Sequence, residues 1–355
     1  MKNIFLLLFS INALFLHISA QISQESYTND KPKDTSRILA RVKVDGKWGY
    51  INLKGNFVIE PKFHFARDFK FGIAPVIIND KVNNEWGYIN TKDSIVIAPK
   101  YDDAYNICCG LALVSIAYKW GYIDYFGEMR IKTEFDDAHS FSEGLAAVKS
   151  NWKWGFINRD GHYVVSPQFD KVGDFHEDLA WVQKEGKYGY ISRDGNLQIK
   201  LQFDNAGDFH EGLARIKLED EWGYDSWGYI NKEGKIVIQP QYANARDFHE
   251  GMAAVSNKDT GLWGYIDKDG NEIIPANFYK ASDFVNGVAR VNIRYKYGFI
   301  DKRGKIIVPP KYLDAGNFHH GLAPVRVSIY KWGYINKQGQ LVIDAVFEYA
   351  YDFIE

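Results

Sequence analysis

Residues 227–255 read WGYINKEGKIVIQPQYANARDFHEGMAAV, and residues 154–182 read WGFINRDGHYVVSPQFDKVGDFHEDLAWV. The aromatic that opens both stretches recurs at Trp48, Trp86, Trp120, Trp154, Tyr188, Trp227, Trp263, Tyr297 and Trp332, at intervals of 34 to 39 residues. Self-similarity at such a period marks a repeat architecture, whose units are too small to bury their own faces and must stack. Counted from the Leu-Ala of GLA-x-V, units begin at Leu39, Ile73, Leu111, Leu145, Leu179, Leu213, Met252, Val288 and Leu322. Nine whole units then fill residues 39–355 and leave no fragment.

Each unit reads as β structure. The GLA-x-V stretch alternates apolar with polar or variable positions, the period of a strand. WGYIN, aromatic and β-branched, is a second strand. KIVIQP is a third, expected to end at Pro240, which lacks an amide donor for a ladder. Between the second and third lies Asn/Asp-x-x-Gly, as at Asn52–Gly55 and Asp267–Gly270, a spacing that suits a tight turn. No segment of the repeats carries a sustained 3.6-residue apolar period. The chain is therefore an all-β tandem array of nine meanders. An open superhelix or solenoid is the first expectation and a β-propeller the alternative, because 34 residues are short for a four-stranded blade. The template Trp residues are expected to fill the interfaces between units. At 221–230, EWGYDSWGYI doubles the motif; Trp227 runs on into the turn signature and is assigned to the strand, Trp222 to a lengthened loop.

Composition narrows the partners. The net charge is −2 and 16% of residues are aromatic, with two cysteines. That balance gives no electrostatic case for nucleic acid or an anionic membrane, and the cysteine count excludes a disulfide framework. Residues 1–20, MKNIFLLLFSINALFLHISA, have a basic start, a short apolar run and small residues before Gln21. They predict a signal peptide cut after Ala20, hence an exported mature chain, periplasmic, at the outer surface or secreted, with no stable membrane insertion. Residues 21–38 read as a polar leader.

The combination GLA-x-V, WGYIN-x-x-G, VI-x-P and F-x-x-A-x-x-F-x-x-G resembles the WG (KWG) β-repeat family of bacterial proteins over residues 39–355. The resemblance implies a β-repeat array on exported or surface proteins, and brings no catalytic residues with it. Tyr188 and Tyr297 in place of Trp, Asp178 in place of Gly, and Cys108-Cys109 depart from the template. GKWGYIN-x-x-G at 46–55 is also similar, over a short stretch, to the aromatic hairpins of choline-binding cell-wall repeats.

Catalytic and metal signatures are weak. DFHEG-type turns place His at 176, 210, 249 and 319, but the residue four after His210 is Ala214, so the paired imidazoles of a zinc-protease helix are missing. Sheets stacked roughly 10 Å apart would keep histidines of neighbouring units from sharing a metal. DKDGNE at 267–272 aligns with the other hairpin turns rather than with a calcium loop. Cys108-Cys109 fall on the turn equivalent to His-Glu, where a vicinal disulfide is conceivable in an exported protein. No cofactor, metal site or catalytic set is expected.

What the template does not require is a set of aromatics. Tyr118, Trp152, Tyr295 and Tyr330 stand two positions before the WG aromatic, at a hairpin turn, and Trp181 at an outward position of the first strand. They are the candidate ligand-binding residues. The expected function is a non-enzymatic binding scaffold of the bacterial envelope with a protein or glycan partner. Carbohydrate or cell-wall binding through these aromatics is the alternative, and an enzyme with a scattered site is the third.

Overall fold

The computed structural model describes residues 37–78 and 84–354. The signal peptide and most of the leader lie outside the described residues; Ile38, at the end of the leader, is buried in the core. Among the described residues there is no α-helix, and every strand belongs to one of nine four-stranded antiparallel sheets. The second sheet is representative, with Phe65–Ala66, Ile73–Ile77, Trp86–Asn90 and Ile95–Tyr101 side by side in chain order. Its last three strands are those read from the sequence. The first, only two residues long, comes from the F-x-x-A stretch that precedes GLA-x-V.

That short strand settles the architecture. In the first sheet it is supplied by Tyr349–Ala350 from the far end of the chain, with Val42 opposite Ala350 and Lys43 opposite Tyr349. Leu39 and Ile354 exchange backbone hydrogen bonds of 3.1 Å beside it. The ring is closed: the fold is a nine-bladed β-propeller, the expected alternative, and not the open superhelix. The blade boundary lies upstream of GLA-x-V. A sequence cut there ends with an orphan F-x-x-A segment, and its missing neighbour is blade one.

Fourth strands bend sharply. Trp120 pairs with Phe135 and Tyr122 with Ile131, with register shifts between them. Pro240 stands inside the corresponding strand, Ile236–Tyr242, rather than ending it, as an outer-edge bulge permits. The bulge folds the outer backbone over the third strand. A Cβ at Gly121 would sit 2.6 Å from the Ile131 carbonyl oxygen, so the glycine of WGY is required by this crossing.

Between blades lies the core. Tyr122 and Phe135 of blade three pack on Ala138, Phe141, Val148 and Ile157 of blade four. The closing interface joins Tyr334, Ile343 and Phe347 of blade nine to Ala40, Val42 and Ile51 of blade one. In seven blades the tyrosine of WGY is fully buried and its hydroxyl donates to a backbone carbonyl of the next blade, as Tyr122 does to His139 at 2.7 Å and Tyr334 to Tyr351 at 2.8 Å. Phe156 and Phe299 fill the other two places. Burial pushes the Tyr122 phenol well above its ordinary range, so it remains a donor. The template Trp is less buried than expected. Trp48, Trp86, Trp120, Trp227 and Trp263 are half-buried at the blade margin, and only Trp154 and Trp332 fall below a tenth exposed. The third residue of the motif, Tyr or Phe, is the central aromatic of each interface, and the first, Trp or Tyr, is its lid.

Candidate binding surface

Two opposite rims emerge from this topology. On one, the turn after the short strand meets the turn between third and fourth strands of the next blade, as where Arg193 Nη2 and Lys268 Nζ reach the carbonyls of Glu143 and Glu211. On the other, the hairpins between second and third strands meet the links between blades. Asp136 holds that junction in blade four: Oδ2 accepts the Asn151 amide at 2.9 Å, and Oδ1 accepts Lys119 at 2.6 Å. Hydrogen bonding to Lys119 keeps the Asp136 carboxyl below its usual range. Asp170 does the same for the Glu185 amide, with Lys153 as its cation.

The candidate aromatics sit at the tips of this second rim. In blades one and five the two-residue turns are Asp45-Gly46 and Glu185-Gly186, with φ of 47° and 74°, and 54° and 81°. Both residues are left-handed, as the twist of a two-residue hairpin demands. Blades three, four and eight use the same turn with Ala117-Tyr118, Asn151-Trp152 and Arg294-Tyr295, the aromatics at φ of 62°, 67° and 65°. In blade nine Tyr330 takes φ of 57°. A bulky side chain in this conformation costs roughly 1 kcal/mol relative to glycine. Little in the fold repays that cost, because the rings stand in solvent: Tyr118 is 91% exposed, Trp152 84%, Tyr295 78% and Tyr330 66%.

Local contacts are few. Lys149 Nζ lies 5.6 Å from the Trp152 ring, and Tyr295 stacks on Tyr279 with centroids 5.2 Å apart. Trp181 does not join the group. It is half-buried within the second strand of blade five, its ring 5.5 Å from Tyr188, over a space left by Gly173. Its outward place on the strand is covered by its own neighbours. Also exposed are Ile329, which precedes Tyr330 on the same tip, and Tyr224, which lies with Trp222 in the lengthened loop of blade six; Trp222 and Trp227 take the loop and strand places assigned to them.

The first rim holds the histidines, and here the expected spacing fails. The rings of His176 and His210 are 5.2 Å apart, and those of His210 and His249 5.0 Å. Blades converge toward the axis; on a nine-fold circle these separations correspond to a radius of about 7.5 Å, so the 10 Å of parallel sheets does not apply. Carboxylates of successive blades face them, with Asp208 3.8 Å from His176 and Asp352 3.6 Å from His319. Burial raises the Asp208 carboxyl above its ordinary range against the pull of His176, and Asp247 and Asp174 raise it further. Among the described residues, no group of three or more His, Cys, Asp or Glu is arranged to hold a metal ion. Cys108 and Cys109 are both free thiols on the blade-three turn, with Sγ atoms 3.6 Å apart.

Comparison with known proteins agrees with the repeat count. The model of the WG containing repeat matches nine times, at 48–81, 86–120, 120–154, 154–188, 188–222, 227–260, 263–297, 297–328 and 332–355. No curated protein sequence matches the chain. Among solved structures, similar chains include the dihydro-heme d1 dehydrogenase NirN in complex with DHE, at 9% identity and a TM-score of 0.47, over 94% of this chain and 78% of that one. A catalytically inactive virginiamycin B lyase from Staphylococcus aureus with quinupristin is similar at 12% identity and a TM-score of 0.36, over 66% of this chain and 91% of that one. The nine repeat matches follow the nine blades around the ring, and the chain belongs to the WG containing repeat family.

Proposed function

We propose that this protein is an exported, non-enzymatic binding scaffold whose contact surface is the rim of second-to-third-strand hairpins. The observation that carries the reading is the left-handed aromatic at four hairpin tips, where Gly46 and Gly186 mark the unstrained choice in the same chain. A fold that keeps strained, exposed rings away from its core keeps them for contact. Export rests on the character of residues 1–20. The exposed indole of Trp152 and phenol of Tyr118 also suit stacking on sugar rings, which makes an envelope glycan the second reading.

The test is recovery of partners from the native cell envelope on immobilised protein, with Tyr118→Gly/Trp152→Gly as the comparison. Material retained by the wild type and lost by the double variant supports the reading. Identical recovery by both would remove these hairpins from any contact surface.

A further inference from the structure

We infer that the aromatic hairpin tips seat the ring flat on the surface of a lipid bilayer, with the rings in the headgroup zone. This rests on the reading of the tips as the contact surface. Placement is the first reason. The aromatic tips belong to blades three and four and to blades eight and nine, nearly opposite each other around a closed ring of nine, and all project from one rim. A partner that touches both groups must be flat across the width of the ring. A bilayer surface is such a partner, whereas a peptide or a short glycan would engage one side only.

Side-chain chemistry is the second. Tyr and Trp, amphipathic and rigid, partition into the membrane–water interface more readily than into either bulk phase. In blade nine the tip is Ile329-Tyr330, with Ile329 73% exposed. An isoleucine in that place offers a sugar no hydrogen bond, but it gains by entering the acyl boundary. Each aromatic is followed by a lysine; Lys119 and Lys153 are held by Asp136 and Asp170, and the long stems of Lys296 and Lys331 can lie along the interface with their ammonium groups at the headgroups.

The third reason is an internal contrast. Where the tip is glycine, the residue before it is acidic, Asp45 or Glu185; where the tip is aromatic, it is Ala117, Asn151, Arg294 or Ile329. The aromatic turns thus carry no carboxylate of their own, and Asp102 and Asp136, which reach two of them, accept the Tyr118 and Asn151 amides. At blades three and four, Asp136 and Asp170 pair with Lys119 and Lys153, so the charge beside those two tips is balanced. The attraction is interfacial rather than Coulombic, consistent with a net charge of −2. Zwitterionic lipid should suffice.

The experiment is co-sedimentation with phosphatidylcholine vesicles and with vesicles of phosphatidylcholine and phosphatidylglycerol at three to one. The wild type is compared with a variant carrying Tyr118→Gly, Trp152→Gly, Tyr295→Gly and Tyr330→Gly. Glycine is the residue of blades one and five at this position, so the variant keeps the fold, checked by its thermal transition. Both proteins begin at Gln21 and share the same leader, so a difference reports the tips. Binding of the wild type to both vesicles, little affected by salt, and a drop of ten-fold or more in the variant's partition coefficient are expected. Equal partitioning of the two proteins, or none by the wild type, overturns the inference. If vesicles fail while sedimented peptidoglycan binds the wild type and not the variant, the tips read glycan, and the contact surface survives without the bilayer. If vesicles, peptidoglycan and envelope recovery are all indifferent to the tips, both readings fall.

Discussion

Truncation of three aromatics in neighbouring blades should cost very different amounts. Tyr122 is fully buried between blades three and four, beside Phe141 with ring centroids 4.8 Å apart, and its hydroxyl donates to the His139 carbonyl. Tyr122→Ala removes an aromatic ring from a site closed on both sides, worth about 3–5 kcal/mol. Tyr122→Phe keeps the ring and leaves the His139 carbonyl without its donor, worth about 1–2 kcal/mol. Trp120, half-buried against Tyr105 at 5.9 Å, should lose about 1–3 kcal/mol as alanine, because part of its surface is already wet. Trp152→Ala, at an exposed tip, should change stability by less than about 1 kcal/mol. Urea unfolding followed by far-ultraviolet circular dichroism ranks the four. A larger loss for Trp120→Ala than for Tyr122→Ala would refute the placement of Tyr122 at the centre of its interface. A loss for Tyr122→Phe as large as for Tyr122→Ala would refute the division between ring and hydroxyl.

Three further outcomes follow from the same structure. Mass spectrometry of the protein from its host should find Gln21 at the N-terminus; an intact Met1 would contradict export by cleavage. Deleting Val288 to Glu355 removes blades eight and nine except the Lys280–Ala281 strand, and takes the Tyr349–Ala350 strand from blade one; the ring cannot close, so the product should aggregate rather than persist as a shorter folded array, which analytical ultracentrifugation distinguishes. Burial opposes the charge on His139, yet the hydrogen bond from Nδ1 to Asp174 at 2.8 Å, with Asp174, Asp137 and Asp208 around it, raises its pKa above the ordinary value. A raised histidine contributes stability that is complete below its unfolded pKa near 6.5 and is lost as pH rises through the folded one. Asp174→Asn should therefore flatten the decline in stability from pH 6 upward; an unchanged slope would show that the pair does not titrate in the fold.

Much of this was legible in the sequence, for reasons that differ from element to element. The hairpins were, because Asn52 and its equivalents write their turns locally: the Asn52 side chain accepts the amides of Lys54 and Asn56, and Gly55 takes φ of 81°. Tyr118, Trp152, Tyr295 and Tyr330 were placed at turns by counting back from WGY, a register that the strand pairing preserves. Trp181 is half-buried rather than exposed, because strand alternation gives a side chain's direction but not what lies over it. Closure was not legible, since a two-residue strand has no period and the angle between blades is set by packing. The same convergence of blades brought His176, His210 and His249 within about half the spacing expected of parallel sheets. Trp and Tyr of WGY share a face, and only their distance from the blade margin decides which is buried.

The closed ring is the claim on which the rest stands, since it places the aromatic tips on one rim and opposite sides. Val42 and Ala350 are direct partners across the closing pair, at a separation of about 4.5–5.5 Å for antiparallel neighbours, which a disulfide spans. In a background with Cys108 and Cys109 changed to serine, Val42→Cys/Ala350→Cys should oxidise within the folded monomer. The chain would then be cyclised, with a faster non-reduced band and a linked peptide pair by mass spectrometry. Two thiols that stay free in the folded, oxidised monomer would mean that the ends do not meet and that the array is open.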